Sequence, residues 1–213
     1  TGPWGVVRQL RLLCESLRSI QQTGNTTIGK IERTESGSLA VQVFPHNAID
    51  GMLFKDVTVD VHMLPHVTEQ SLATDRASFY KNPDHQGKVA LVLGAGNIAA
   101  IGVMDVITKM FNEGKVCLLK MNPVNAYLGP YIEQAFKAAI DRHYLAVIYG
   151  GAEVGRHLVY HPNIDEVHLT GSDKTHDQIV WGPPGPEHQE RKQRGEPLLK
   201  KAISSELGNI SPV

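Results

Sequence analysis

The period of apolar positions changes at residue 88 of this 213-residue chain. Before it, Val6, Val7, Leu10, Leu13, Leu17 and Ile20 recur at helical spacing and Gly24-Asn25 supplies a stop, which predicts an amphipathic helix burying one stripe. Residues 39–45 and 57–63 alternate apolar with polar, the pattern of half-buried antiparallel strands, with a turn over Asn47 to Gly51 between them. Glu69 to Tyr80 reads as a helix, and Asn82 to Gly87 as a polar linker.

After Lys88 the apolar runs at 89–93, 116–119 and 145–149 no longer alternate, and helical segments around 98–112 and 126–142 separate them. Strands buried on both faces and joined by helices form a parallel sheet of βαβ units, so the chain is of the α/β class. A further run at 166–169 ends on Thr170-Gly171-Ser172, a second turn that opens a helix at the sheet edge where ligands collect. Residues 182–197 combine proline and charge with no apolar period and read as a solvated loop.

The handover from strand to helix at Gly94-Ala95-Gly96-Asn97 carries the most chemistry. Such a turn leaves backbone N–H groups free near the positive end of a helix dipole, where a phosphate or a developing oxyanion can sit. Gly94, Gly96 and Ala99 also fit a loose dinucleotide fingerprint. Glycine turns end many buried strands for packing reasons alone, and both readings stand at this level.

Composition narrows the partners. Lysine plus arginine number 21 against 22 acidic residues, a balance without the basic excess of a nucleic-acid binder, and no apolar stretch spans a bilayer. The two cysteines, Cys14 in a helical pattern and Cys117 in a strand, argue against a disulfide framework and for a reducing, cytoplasmic setting. His157 and His161 lie four apart without a third ligand at zinc-like spacing, so no metal site is expected. The first residue is not Met, and Ser211-Pro212-Val213 stops where another strand begins, which points to a fragment.

Two charged residues stand where chemistry is plausible. The strand Val116-Cys117-Leu118-Leu119 ends on Lys120, where common dehydrogenases carry an acid for the ribose hydroxyls. A cation there suits a phosphate-bearing ribose, although a strand-end lysine commonly just projects into solvent. Glu206 follows an apolar and small segment and precedes a glycine, which is compatible with a general base facing a cleft and with a surface acid beside a turn.

Taken in succession, Gly94-Ala95-Gly96-Asn97, Leu118-Leu119-Lys120-Met121-Asn122-Pro123, Leu169-Thr170-Gly171-Ser172 and Glu206-Leu207-Gly208-Asn209-Ile210-Ser211-Pro212 resemble the landmarks of the aldehyde dehydrogenase superfamily. The resemblance implies a Rossmann-like parallel sheet with flanking helices over 88–213, preceded by an N-terminal helix and antiparallel strands over 1–87 that serve oligomerisation. It implies oxidation of an aldehyde to an acid through a cysteine thioester, with NAD or NADP as cofactor and a homo-oligomer as the assembled form. Asn97 matches the oxyanion donor and Glu206 the residue that activates water. Lys120 matches the adenosine-ribose contact, while Gly94, Gly151, Gly171 and Ser172 fall among the cofactor contacts.

The departures from the family pattern are specific. Ala95-Gly96-Asn97 replaces Pro-Trp-Asn, and Pro123 replaces the glutamate three residues after the strand-end lysine, which leans the expectation toward NADP. His176 stands where a second glycine is common, Glu-Leu-Gly-Asn replaces Glu-Leu-Gly-Gly, and 182–197 reads as an insertion. The family's nucleophilic cysteine follows the glutamate motif, and neither Cys14 nor Cys117 matches it by motif. The chain alone is therefore expected to be inactive as a dehydrogenase. The alternative is an inactive dinucleotide-binding or assembly module on the same fold.

Overall fold

The computed structural model describes residues 2–82 and 84–208. These form two compact units: one holds the residues up to Leu10 together with those from His85 onward, the other Arg11–Asp84. Helix α1 (Pro3–Thr23) carries the expected apolar stripe at half-buried positions except Val7, which is exposed, and none of the stripe is fully buried. Within the first unit its opening turns meet helix α5 (Ile101–Phe111) of the larger sheet's helix layer, where Gln9 Nε2 donates to Met104 O at 3.3 Å.

The Arg11–Asp84 unit contains β1 (Ile31–Arg33), β2 (Leu39–Phe44), α2 (Ala48–Leu53), β3 (Val59–His62), α3 (Glu69–Asp75) and α4 (Ser78–Lys81). Its three strands form an antiparallel sheet in the order β1-β2-β3. Leu39, Ala40 and Val41 of β2 are buried, but every position of β3 is exposed, so its alternation does not mark a buried face. Asn47 to Gly51 is not a simple turn: Asn47 Oδ1 accepts from Asp50 N at 2.9 Å and caps α2. The helix expected over 69–80 breaks into α3 and α4 because Ala77 adopts a left-handed backbone, φ 54°. Strand β1 escapes a period-based reading, since two of its three residues are charged.

The first unit is a doubly wound α/β sheet. Its elements after α4 are β4 (Val89–Leu93), α5 (Ile101–Phe111), β5 (Val116–Lys120), a 3-10 segment (Pro123–Leu128), α6 (Gly129–Ala135), α7 (Lys137–Ile140), β6 (Leu145–Ile148), α8 (Ala152–Tyr160), β7 (Glu166–Gly171), α9 (Asp173–Trp181), α10 (Pro186–Arg194) and β8 (Ala202–Leu207). All five strands run parallel in the order β6-β5-β4-β7-β8. Alternate residues of one strand feed opposite cores: Ala90 and Val92 join Val106, Cys117 and Leu119 beneath α5, α6 and α7, while Leu91 joins Val159, Ile164 and Val167 on the α8 and α9 side. That two-sided burial is why these strands lack alternation.

Residues 182–197 do not form the solvated loop expected. Pro186 starts helix α10, Glu187–Arg191 and Glu190–Arg194 pair at i,i+4 distances of 3.2 and 2.6 Å, and Gly195 ends it in the left-handed region. No apolar period announces this helix because its one buried side chain is His188, whose Nδ1 lies 2.8 Å from Gly182 O. The helix expected over 126–142 is a 3-10 segment and two short helices, with Phe136 between them. Among the described residues no helix is long and apolar enough to cross a membrane.

Candidate functional site

The strand order reverses between β4 and β7, and the carboxyl ends of β4, β5 and β7 come together there by register: Leu93 faces Lys120 on one side and Leu169 on the other. In open α/β sheets the crevice at such a switch point is where ligands bind. A cavity of about 660 Å³ opens at this edge. Gly94, Gly96, Lys120 and Asn122 line it from the β4 and β5 ends, Gly155, Arg156 and Tyr160 from α8, and Thr170, Gly171, Ser172 and Thr175 from the β7–α9 turn.

The β4–α5 turn is held by close backbone approach. Gly94 N donates to Lys120 O at 3.0 Å, and a Cβ on Gly94 would stand 3.2 Å from that same oxygen. A Cβ on Gly96 would meet Asn122 Nδ2 at 2.9 Å. The tight contact of helix on strand belongs to Gly102, where a Cβ would sit 3.3 Å from Gly94 Cα and from Leu119 Cδ1. Helix α5 begins at Ile101, later than the pattern suggests, and Ala100 gives it no side-chain cap.

Asn125 is a supporting residue that the sequence reading missed. It is 8% exposed, and its Nδ2 donates to Ala95 O at 3.0 Å and Gly96 O at 3.2 Å, bracing the turn from the 3-10 segment. The signal available in the sequence was Asn122-Pro123 directly after a strand, a capped turn that returns the chain toward the sheet edge: Asn122 Oδ1 accepts from Val124 N at 3.1 Å.

Lys120 does not project into solvent; it is 7% exposed. Burial lowers its pKa from the usual lysine value, opposed by the nearby charge of Glu153. An ammonium stripped of water in this way gains from an anionic partner. Gly151 caps α8, and its N–H already donates to Glu153 Oε1 at 3.0 Å. The Glu153 carboxyl is held below the usual carboxylate range, first by its own backbone N–H and then by that of Gly151. The mouth of α8 thus carries its own acid, and Ala152 rather than Gly151 lines the cavity.

On the β7 side, Ser172 caps α9, its Oγ accepting from Thr175 N at 3.1 Å, and Gly171 O accepts from Gly208 N at 3.0 Å. Asn97 is exposed beside the cavity-lining Gly96, and Glu206 is exposed near the end of β8, paired in register with Thr170. Asn209 and the residues after it in the fourth motif lie outside the described residues, as does the strand expected there.

Cys117 supplies no thiolate to this crevice: it is buried inside β5, where desolvation pushes its thiol up to about 12. Cys14 is an exposed residue of α1 and belongs to the Arg11–Asp84 unit. Rings of His157 and His161 lie 5.5 Å apart on and just after α8.

The model of the aldehyde dehydrogenase family matches residues 63–183. Among solved structures, the NADP-dependent glyceraldehyde-3-phosphate dehydrogenase of Bacillus halodurans, complexed with NADP, superposes with a TM-score of 0.50 at 16% identity, over 96% of this chain and 32% of its own. The glyceraldehyde-3-phosphate dehydrogenase of Methanocaldococcus jannaschii, also complexed with NADP, matches at 23% identity and a TM-score of 0.42 over 59% of this chain and 25% of its own. A substrate-bound aldehyde dehydrogenase of Staphylococcus aureus matches at 21% identity and a TM-score of 0.44 over 59% of this chain and 24% of its own. The chain thus spans a quarter to a third of the length of these structures. No curated protein matches it.

Proposed function

The chain belongs to the aldehyde dehydrogenase family, and on that premise we propose that it is the cofactor-binding part of an NAD(P)-dependent oxidoreductase that converts an aldehyde to an acid, with the nucleophilic thiol lying outside these 213 residues. The observation that carries this reading is the cavity at the switch point, floored by Gly94 and Gly96 and flanked by the desolvated Lys120. Its volume of about 660 Å³ falls in the range of small-molecule sites. The residues present fit a dinucleotide: backbone where a Cβ would collide, a buried cation, and the capped N-terminus of α9 at Ser172. When bound, the nicotinamide supplies the hydride acceptor.

The chain's own residues then have separate tasks. Lys120 holds the adenosine ribose or its phosphate, and the Gly171–Ser172 turn holds the pyrophosphate with Gly94. Gly151 contributes by positioning Glu153 at the mouth of α8, opposite Lys120. Asn97 donates its side-chain amide N–H to the oxyanion that develops on the aldehyde oxygen as the thiolate adds to the carbon; one such preorganised donor commonly lowers a barrier by about 3–4 kcal/mol. Glu206 takes a proton from the water that releases the acid. The missing glutamate at Pro123 and the buried Lys120 favour NADP. The arm expected over 1–87 corresponds to the Arg11–Asp84 unit, and its exposed Ile49, Met52, Leu53 and Phe54 support a homo-oligomer, which light scattering would reveal as a mass above 23.4 kDa. The free thiols support a reducing, cytoplasmic setting.

Calorimetry tests the reading. NADP⁺ should bind the chain at least as tightly as NAD⁺, and Lys120→Ala should weaken NADP⁺ by about tenfold, the loss of one charge-assisted contact. Failure to bind either dinucleotide would overturn it, and a strong NAD⁺ preference untouched by Lys120→Ala would overturn the NADP assignment. Robust aldehyde-dependent NADPH formation by these residues alone, abolished by Asn97→Ala, would overturn the placement of the thiol elsewhere.

A further inference from the structure

His168 lies on β7 with 8% of its surface exposed, and register pairs it with Ser204 of β8. Its Nδ1 is 2.8 Å from Ser204 Oγ. Its Nε2 is buried and has no hydrogen-bond partner among the described residues, yet it faces Asp105 Oδ2 on α5 at 3.5 Å. A buried polar atom left this way costs stability unless something else satisfies it. Asp105 is itself nine-tenths buried at its side chain and accepts a bond from Thr170 Oγ1 at 3.2 Å. Two residues along β8 from Ser204, Glu206 brings a second carboxylate, and the donor atoms of Asp105, His168 and Glu206 all lie within 4.8 Å of one another.

We propose that Asp105, His168 and Glu206 form a binding site for a divalent transition-metal ion of the Zn²⁺ type. One imidazole nitrogen and two carboxylates make a borderline donor set that such ions accept. The surroundings orient the ligands as outer partners of metal sites do. An Nδ1–H donated to Ser204 Oγ leaves the Nε2 lone pair free and aimed at the cluster, while the Thr170 hydroxyl fixes Asp105. Glu206 is exposed, which gives the ion an entry path, leaves water a fourth position, and lets this ligand close on the other two. An imidazolium paired with Asp105 explains the arrangement less well, because the 3.5 Å contact lies outside hydrogen-bond geometry and leaves Nε2 unsatisfied. On the reading above Glu206 also activates water, so a bound ion would withdraw it from that task; ion binding itself does not rest on that reading.

The test uses the 213-residue chain stripped by chelation, titrated with Zn²⁺ by calorimetry and with Co²⁺ as an optical probe of coordination. The expected result is one ion per chain, a visible Co²⁺ band of a low-coordinate site, and affinity reduced about tenfold or more in each of His168→Ala, Asp105→Asn and Glu206→Gln. Because Glu206 is exposed, Glu206→Gln keeps the fold and reads the ligand alone. His157→Ala, at the other histidine pair, should leave binding unchanged. Absence of stoichiometric Zn²⁺ binding, retention of full affinity in Glu206→Gln, or loss of binding in His157→Ala would overturn the site.

Discussion

Replacing Glu166 with leucine should destabilise the α/β unit far more than an ordinary ion-pair deletion. Glu166 stands at the start of β7 with 13% of its side chain exposed, between Lys109, 8% exposed on α5, and Lys115. Lys109 Nζ lies 3.0 Å from Glu166 Oε1 and 3.0 Å from Glu113 Oε1, and Lys115 bonds both acids. Two cations and two anions therefore balance in a largely dry place, and Glu166→Leu leaves one positive charge uncompensated. Breaking a buried pair from one side costs about 3–5 kcal/mol; the surviving Glu113 argues for about 3. For a chain of this size that is a fall in Tm of roughly 6–12 °C. Lys109→Met added to Glu166→Leu restores neutrality around the Lys115–Glu113 pair and should recover most of the loss, since apolar replacements of whole buried pairs are commonly neutral. Urea unfolding of the two single variants and the double variant measures the coupling. A single-variant cost below about 1 kcal/mol would class the cluster with solvent-screened surface pairs, and a double variant as unstable as the sum of the singles would refute the charge-balance argument.

The same cluster sets the pH limits of stability. Although burial works against it, bonds from Lys115 and Lys109 hold the Glu113 carboxyl below its ordinary 4.5, so its stabilisation is present above that pH and lost as pH falls through the lower folded value; Lys115 is raised above 10.5 against its own desolvation, so its contribution persists below that pH and is lost above it. Urea midpoints measured across pH should show a plateau between those limbs. Asn125→Ala removes the brace on Ala95 O and Gly96 O and should cost about 1–3 kcal/mol in urea unfolding while weakening dinucleotide binding. With its thiol pushed up to about 12, Cys117 should stay unreactive to Ellman's reagent in the native chain, which should label Cys14 alone until urea is added.

What could be read from the residues was whatever the environment imposes on both neighbours of a position. Residues 89–93 lack alternation because Ala90, Val92 and Leu91 enter different cores, and that pattern is enough to give parallel strands. Gly94, Lys120, Gly171 and Ser172 could be chosen because turns at the ends of such strands lie on one edge, and all four line the cavity. Helix α10 could not be found by period, since charge pairs and a glycine stop rather than an apolar stripe hold it. Strand β3 alternates yet is exposed throughout. Asn125 and the Asp105–His168–Glu206 cluster depend on contacts between elements far apart in sequence, fixed only by the β7–β8 register and the lie of α5. Ala99 occupies the third small-residue position of the fingerprint, but the close helix contact falls at Gly102, because α5 starts late.

Hydrogen exchange of the 213-residue chain with and without saturating NADP⁺ tests the central claim most directly. The account predicts new protection in the segments around Gly94–Asn97, Lys120–Asn125 and Gly171–Thr175, where the backbone lines or braces the crevice. Binding accompanied by protection elsewhere, with these segments unchanged, would contradict it.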